Sequence, residues 1–230
     1  MYKLVLILFL SVMSQEFTFA QSISELKKLA YNGNERAQYN LGLMFYNGQN
    51  VEENMDSAVY WFTRSAEAGV AFAQYNLGLI YQQGLGVVRS ESKAEKWYLM
   101  AAHRDVVEAQ FILGMMYYGD DCKQSGCGQA IHWFEVASSN NHEAAQNMLG
   151  NIYLSGDGVI VNYQKALKWY RLSAKNGYAE GQFNLGWMYY YGRGITKNNA
   201  LAAMWMQRAA NQGNMKAITF IKTNRLERFL

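Results

Sequence analysis

The chain has 230 residues, half of them hydrophobic and 17% charged, a composition that excludes an intrinsically disordered chain. Lysine and arginine number 21 against 18 aspartates and glutamates, and a net charge of +3 gives no reason to expect nucleic acid as a partner. With two cysteines and three histidines, a multi-ligand metal site is not expected. Proline is absent, so the 20 glycines must mark most of the turns.

The first twenty residues have the pattern of a secretory signal. Lys3 precedes an apolar run over residues 4–13, and small residues precede a cleavage site after Ala20. Such a run is too short to span a bilayer, which requires about 20 apolar residues. We therefore predict cleavage after Ala20 and export of residues 21–230, to the periplasm or outside the cell, with no transmembrane span. A retained N-terminal anchor is the alternative.

A 36-residue repeat occupies the rest of the chain. Leucine, glycine, an aromatic residue, alanine and tryptophan each recur five times at this interval. The glycines are Gly42, Gly78, Gly114, Gly150 and Gly186, and the tryptophans are Trp61, Trp97, Trp133, Trp169 and Trp205. Such agreement in one register predicts an array of five equivalent units.

Each unit is predicted to form two helices, because its apolar residues recur at helical spacing. Small residues at fixed positions allow the two helices to approach closely. Residue types that tolerate a left-handed backbone follow each second helix, at Gly33, Gly69, Asp105, Asn141, Gly177 and Gly213. Accepted N-cap types precede each second helix, at Asn54, Ser90, Gly126, Asn162 and Asn198.

The units resemble the Sel-one-like repeat (SLR), a relative of the tetratricopeptide repeat. The resemblance is carried by Ala-Gln-Tyr-Asn-Leu-Gly at residues 73–78 and by Lys-Ala-Leu-Lys-Trp-Tyr at residues 165–170. It implies an all-α fold, a right-handed superhelical solenoid of antiparallel helix pairs with about twelve helices.

This pattern predicts the following organisation, with half units as caps because each unit buries its apolar face only against its neighbours. A signal peptide (1–20) is followed by an N-terminal capping helix (21–36), five repeats (37–72, 73–108, 109–144, 145–180 and 181–216) and a C-terminal capping helix (217–230).

The resemblance also raises an enzymatic function, because cysteine-rich members of this family have been described as binding or hydrolysing β-lactams. Ser-x-x-Lys occurs at Ser24 and at Ser90, but the supporting Ser-Asp-Asn and Lys-Thr-Gly elements are missing. We therefore predict no catalytic residue and no cofactor. A β-lactam- or peptidoglycan-active protein is kept as the alternative function.

His103, His132 and His142 are scattered along the sequence and are predicted to be surface residues rather than metal ligands. Cys122 and Cys127 lie in the loop between the two helices of the third unit. For an exported protein, a local disulfide is favoured over two free thiols.

The remaining place for function is a binding surface, because first helices line the concave face of such arrays. The residues predicted to contact a partner there are Asn40, Leu43, Asn76, Leu79, Met115, Asn151, Asn184, Trp187 and Tyr191. Trp187 is the one tryptophan outside the 36-residue register. It is interpreted either as an interface anchor or as packing against the C-terminal cap.

The predicted function is therefore a secreted or periplasmic scaffold that binds another protein or peptide, as an envelope adapter, a regulator or a host-interaction factor. Self-association through the array ends is a further class. Charge adds one more candidate partner: residues 21–150 carry a net charge of −5 and residues 151–230 a net charge of +8. The basic part would attract an anionic partner or an anionic envelope surface. The alternative is that these charged side chains only make the exposed helix faces hydrophilic.

Overall fold

In the computed structural model, residues 23–119, 122 and 126–230 are described, so the predicted signal peptide lies outside the described residues. They form twelve α-helices, one 3₁₀ helix and no strand. The α-helices are α1 Ile23–Tyr31, α2 Glu35–Asn47, α3 Met55–Glu67, α4 Ala71–Gln83, α5 Glu91–Ala102, α6 Val107–Tyr117, α7 Gly128–Ser139, α8 Glu143–Ser155, α9 Tyr163–Lys175, α10 Ala179–Tyr191, α11 Asn199–Asn211 and α12 Met215–Thr223, and the 3₁₀ helix is Leu226–Phe229. The predicted all-α fold of about twelve helices is confirmed.

The described residues divide into two compact units, the first ending at Ala109 and the second beginning at Gln110, so that the boundary falls inside α6. In the first unit, α1 packs on α2, α2 pairs with α3, and α4 pairs with α5. In the second unit, α7 packs on α8, α8 pairs with α9, α10 pairs with α11, and α12 packs on α11. Each unit is thus built from helix pairs joined by short loops.

The recurring glycine sets the distance between the two helices of a pair. A Cβ placed on Gly42 would lie 2.6 Å from the ring of Phe62, which is fully buried. The same contact joins glycine to a buried ring in three further pairs, namely Gly78 to Tyr98, Gly114 to Phe134 and Gly150 to Tyr170. The aromatic ring of the second helix therefore lies directly on bare backbone of the first, which any larger residue would prevent.

Buried glutamines tie four of the first helices to the end of the second helix before them, a feature that the sequence analysis missed. Their Nε2 atoms donate to backbone carbonyls eight residues earlier, from Gln38 to Ala30, Gln74 to Ala66, Gln146 to Ser138 and Gln182 to Ala174. Buried amide groups require such partners because their desolvation is otherwise costly.

Some Oε1 atoms of these glutamines accept a hydrogen bond and others have no partner. Gln146 accepts a hydrogen bond from Asn176 at 3.0 Å, and Gln182 accepts one from Gln212 at 2.9 Å, each donor standing 30 residues later in the chain. The residue 30 positions after Gln38 is Ala68, which has no side-chain donor. Gln38 Oε1 is accordingly buried without a hydrogen-bond partner.

Helix ends follow the predicted pattern with one exception. Side chains of four predicted N-cap residues accept a hydrogen bond from the backbone three residues later, at Asn54, Ser90, Asn162 and Asn198. The prediction for Gly126 was wrong, because Cys127 occupies the N-cap position of α7 and makes no side-chain cap bond. All six residues predicted to be left-handed after second helices have positive φ.

The C-terminal end of the second unit is closed by a short segment instead of a full second helix. On α12, Lys222 stands at the position that glycine occupies in the five repeats, so a second helix could not pack there as closely as in the repeats. The 3₁₀ helix contacts α11 and α12 and buries Leu226 to 1% exposure.

The glycine contact predicts a position-specific penalty. Gly150→Ala should lower the free energy of unfolding by about 1–3 kcal/mol, the usual cost of overpacking a filled core, as measured by urea denaturation. Gly128→Ala is the matched control, because Gly128 begins α7 and no atom lies within 4 Å of a Cβ built there. A loss in the control as large as that at position 150 would contradict this account.

The unsatisfied Gln38 oxygen predicts a stabilising substitution. Ala68→Asn would place an N–H donor where Asn176 stands relative to Gln146, and a hydrogen bond of this kind contributes about 1 kcal/mol. Ala68→Asp has the same shape without the donor and adds negative charge near a helix C-terminus, so it should destabilise. Equal unfolding free energies for the two variants would refute the proposed donor.

Candidate functional site

Of the two serines that begin a Ser-x-x-Lys sequence, one has a structural role as a helix cap. Ser90 Oγ accepts a hydrogen bond from the Lys93 amide at 3.3 Å and caps α5, while Ser24 lies exposed in the first turn of α1. Across the residues that the structure describes, no three histidine, cysteine or acidic side chains are grouped so as to hold a metal ion.

Two of the three histidines take part in packing or capping. His142 Nδ1 accepts a hydrogen bond from the Ala145 amide at 3.2 Å and so caps α8, and its ring stacks on Phe111 with centroids 4.4 Å apart. His132 is exposed and its ring lies edge-on to Trp133. A capping role for His142 is consistent with its place before a first helix, where Asn34 and Asn214 also cap.

Cys122 and Cys127 form a disulfide with their Cα atoms 4.6 Å apart. Inside this loop, the Gly126 amide donates to the Cys122 carbonyl at 2.8 Å. This disulfide loop contacts Gly158, which lies in the loop between α8 and α9. A Cβ built on Gly158 would lie 2.7 Å from the carbonyl oxygen of Cys122. The disulfide therefore fixes the surface on which the neighbouring loop rests.

A second contact joins the same two loops. The Tyr118 hydroxyl donates to the carboxylate of Asp157. Burial raises the pKa of Tyr118, and the hydrogen bond to Asp157 and its negative charge raise that pKa further. The hydroxyl thus stays protonated and remains a donor across the physiological pH range.

The predicted partner-binding residues of the first unit differ in accessibility. Asn40 is exposed and Leu43 is half-buried. Asn76 and Leu79 are only 3% and 5% exposed, because residues 73–80 of α4 are all buried. The expectation that these two side chains lie on an open surface is corrected, since neither can reach a partner without displacing core contacts.

The predicted asparagines of the second unit are engaged in a polar ladder. Asn184 Nδ2 donates to Asn147 Oδ1 at 2.8 Å, and the Tyr170 hydroxyl donates to Asn151 Oδ1 at 2.8 Å. Burial raises the pKa of Tyr170, so its hydroxyl is held as a donor. These side chains link neighbouring helices and offer a partner only part of their hydrogen-bonding capacity.

Among the other predicted contact residues, Met115 is exposed.

Trp187 and Tyr191 belong to a group of rings at the end of α10, here called the C-terminal aromatic cluster and comprising Trp187, Tyr190, Tyr191 and Phe220. The ring centroids of Trp187 and Tyr191 are 4.7 Å apart, and those of Tyr190 and Phe220 are 5.1 Å apart and perpendicular. The Tyr190 hydroxyl donates to Asn224 at 3.0 Å. Tyr190 is thereby fixed against α12 and the residue that ends it.

Trp187 and Tyr191 differ in how much of each ring is buried. Trp187 is half-buried and packs against two cores, one formed by α8, α9 and α10 and the other by α11 and α12. Tyr191 is 49% exposed. Packing against the C-terminal cap therefore accounts for much of the Trp187 surface, and Tyr191 is the ring that the cluster presents to solvent.

A cavity in the first unit was not expected from the sequence. It measures about 330 Å³ and is lined by Lys27, Tyr31, Phe45, Asp56, Ser57, Tyr60 and Trp61. The exposed rings of Tyr31 and Tyr60 both lie edge-on to Trp61, with centroids 5.0 Å and 4.9 Å away. No tyrosine, phenylalanine or tryptophan stands at the positions equivalent to Tyr31 and Tyr60 in the rest of the array, so the 36-residue register gave no signal for the cavity.

Among the described residues, none of the helices combines the length and the apolar character needed to cross a membrane.

The helix pairs, their glycine contacts and the glutamine bonds define an all-α helical-repeat protein. The family model described as Sel1 repeat matches five times, at residues 35–70, 71–106, 107–142, 143–178 and 179–214. The chain therefore belongs to the Sel1 repeat family.

Solved structures give the same family. A Sel1 repeat protein from Oxalobacter formigenes is 29% identical with a TM-score of 0.72, over 85% of this chain and 79% of that one. A protective antigen with an SLR fold, present in uropathogenic Escherichia coli strains, is also 29% identical, with a TM-score of 0.54 over 90% of this chain. The match spans about half of that antigen, 52% of its length. No curated protein matches the chain significantly.

The disulfide predicts a stability difference on reduction. Replacing both Cys122 and Cys127 by serine should cost about 2 kcal/mol, the loop-closure entropy of so short a loop in the unfolded chain. The measurement is urea denaturation with and without a reductant. The wild-type protein should lose stability on reduction whereas the double variant should not respond, and a reductant-insensitive wild type would refute the assignment.

Proposed function

We propose that this protein is an exported scaffold that binds another protein through the exposed edge of the C-terminal aromatic cluster. Sel1 repeat proteins generally act in protein–protein interaction, which supports the general class. The observation that carries the proposed position is Tyr191, a ring 49% exposed beside half-buried Trp187. Tyrosine and tryptophan are enriched at positions that contribute most to binding.

The cluster has the physical properties of an interface anchor. Trp187 is held by contacts on two sides and Tyr190 by its bond to Asn224, so the rings lose little side-chain entropy when a partner binds. Tyr191 supplies both an apolar face and a hydroxyl. Such amphipathic rings contact apolar and polar groups of a partner at the same time.

Export is part of the proposal, with the protein acting in the periplasm or outside the cell. The Cys122–Cys127 disulfide supports it, because disulfides persist in oxidising compartments and are rare in the cytosol. The first twenty residues add the signal-like sequence.

The binding proposal is tested by crosslinking and affinity capture in the native host, with the full chain tagged at its C-terminus. Tyr191→Ala should reduce recovery of a captured protein more than tenfold, since removal of an anchoring aromatic costs about 2 kcal/mol or more. Trp187→Ala should do the same. Each variant is first checked for an unchanged helical spectrum and for a melting temperature well above the temperature of the capture experiment, because loss of the packed Trp187 ring lowers stability.

Tyr163→Ala is the matched control, because Tyr163 is an exposed tyrosine in the same unit at the start of α9. Its capture should equal that of the wild type. Equal capture by all four proteins would place the interface elsewhere and reject the aromatic anchor. Absence of any enriched protein in the wild type would reject the scaffold proposal itself.

Export has its own measurement. Cell fractionation followed by N-terminal sequencing should find the protein outside the cytoplasm and beginning at Gln21, the residue after the predicted cleavage site. Recovery of an intact N-terminus from the cytoplasm would contradict the proposal.

A further inference from the structure

We infer that the outer face of α9 is a second docking site, and that its occupant is an acidic amphipathic helix of a partner protein. The site is separate from the C-terminal aromatic cluster. It is a shallow groove of about 370 Å³ lined by residues of α9, namely Gln164, Leu167, Lys168, Arg171, Leu172 and Lys175. We call it the α9 groove.

The cations of the α9 groove lie on one side of the helix. Lys168, Arg171 and Lys175 are three and four residues apart, a spacing that places side chains next to one another along one helix face. All three are exposed. In the part of the chain that the structure describes, no acidic side chain forms an ion pair with any of them.

Several cations of this unit lie over aromatic rings, and one of them belongs to the groove, since the Lys168 ammonium lies 5.3 Å from the ring centroid of Trp169. Lys165, Arg193 and Arg208 lie over the rings of Tyr153, Tyr163 and Trp205, with the charges 4.7, 5.3 and 4.6 Å from the ring centroids. Cation–π contact partly compensates those charges. Arg171 and Lys175 have no ring of this kind among the described contacts, so their charge is available to a partner.

The groove combines this charge with apolar surface. Leu172 is 37% exposed between the cations. A partner that covered the cations with carboxylates and left Leu172 facing water would give up this apolar area, whereas an apolar side chain seated on Leu172 would bury it. The complementary surface is therefore an acidic row beside an apolar row.

The length of the groove matches a helix. From Gln164 to Lys175 the rise is about 16 Å, at 1.5 Å per residue, which equals about three turns. Amphipathic helices that place an apolar face in a groove are a recurrent mode of peptide recognition, and opposite charges on the two partners accelerate and orient their encounter. A flat anionic membrane, in contrast, would not need the apolar depression between the cations.

The test uses a fluorescein-labelled helical peptide of about three turns with a row of glutamates beside a row of leucines. Fluorescence anisotropy with the full chain should show saturable binding that weakens as salt is raised. The pair Lys168→Glu and Arg171→Glu should weaken this binding more than tenfold. A peptide with lysines in place of the glutamates, and one with glutamines in place of the leucines, should bind at least tenfold more weakly.

The matched control is the pair Lys222→Glu and Arg228→Glu, which makes the same change in net charge at exposed positions outside α9. It should bind the peptide like the wild type. An equal loss in the control pair would show an effect of net charge alone and overturn the inference.

Two further outcomes would also overturn it. The first is that the wild-type protein does not bind the acidic peptide. The other is binding to vesicles containing anionic phosphatidylglycerol that depends on Lys168 and Arg171 while the peptide is not bound, which would identify a lipid surface as the occupant. Tyr191→Ala should bind the peptide normally, so failure of the α9 groove and failure of the aromatic anchor are distinguishable.

Discussion

The contact on which the other features of each helix pair depend is the one between a glycine of the first helix and a buried side chain of the second. At Gly42 there is no room for a Cβ because the Phe62 ring occupies that space. This close approach brings the tyrosine hydroxyls of some second helices to the first helix, as in the bond from Tyr170 to Asn151. At the end of the chain, Lys222 replaces this glycine and a 3₁₀ helix replaces the second helix.

Polar side chains are divided between holding the helices together and remaining available at the surface. Buried glutamines bond the carbonyls of the preceding helix, and Asn184 bonds Asn147. These groups have little capacity left for a partner. Arg171 on α9 and Tyr191 at the end of α10 are exposed without such a role, and this contrast is the physical basis for placing the two proposed docking sites.

Much of the fold could be predicted from the sequence because the same residue types recur at the same positions in five repeats. Helix pairs and left-handed residues after second helices followed from residue types in register. The N-cap prediction at Gly126 was wrong because α7 begins one residue later than the repeat register predicts, with Cys127 at the N-cap position. Burial of Asn76 and Leu79 could not be foreseen, since helical spacing does not say how many sides of α4 are covered. The cavity beside Trp61 was missed because its tyrosines lie outside the repeated positions.

The central claim is that this repeat scaffold contacts its partner at the exposed aromatic edge of α10. It is tested most directly by placing a photo-crosslinking amino acid at position 191 and, in a separate strain, at position 163. Both positions carry exposed tyrosines in the second unit. The account predicts that irradiation of living cells yields a defined crosslinked protein from position 191 and not from position 163. Crosslinks of equal yield from both positions, or from position 163 alone, would contradict it.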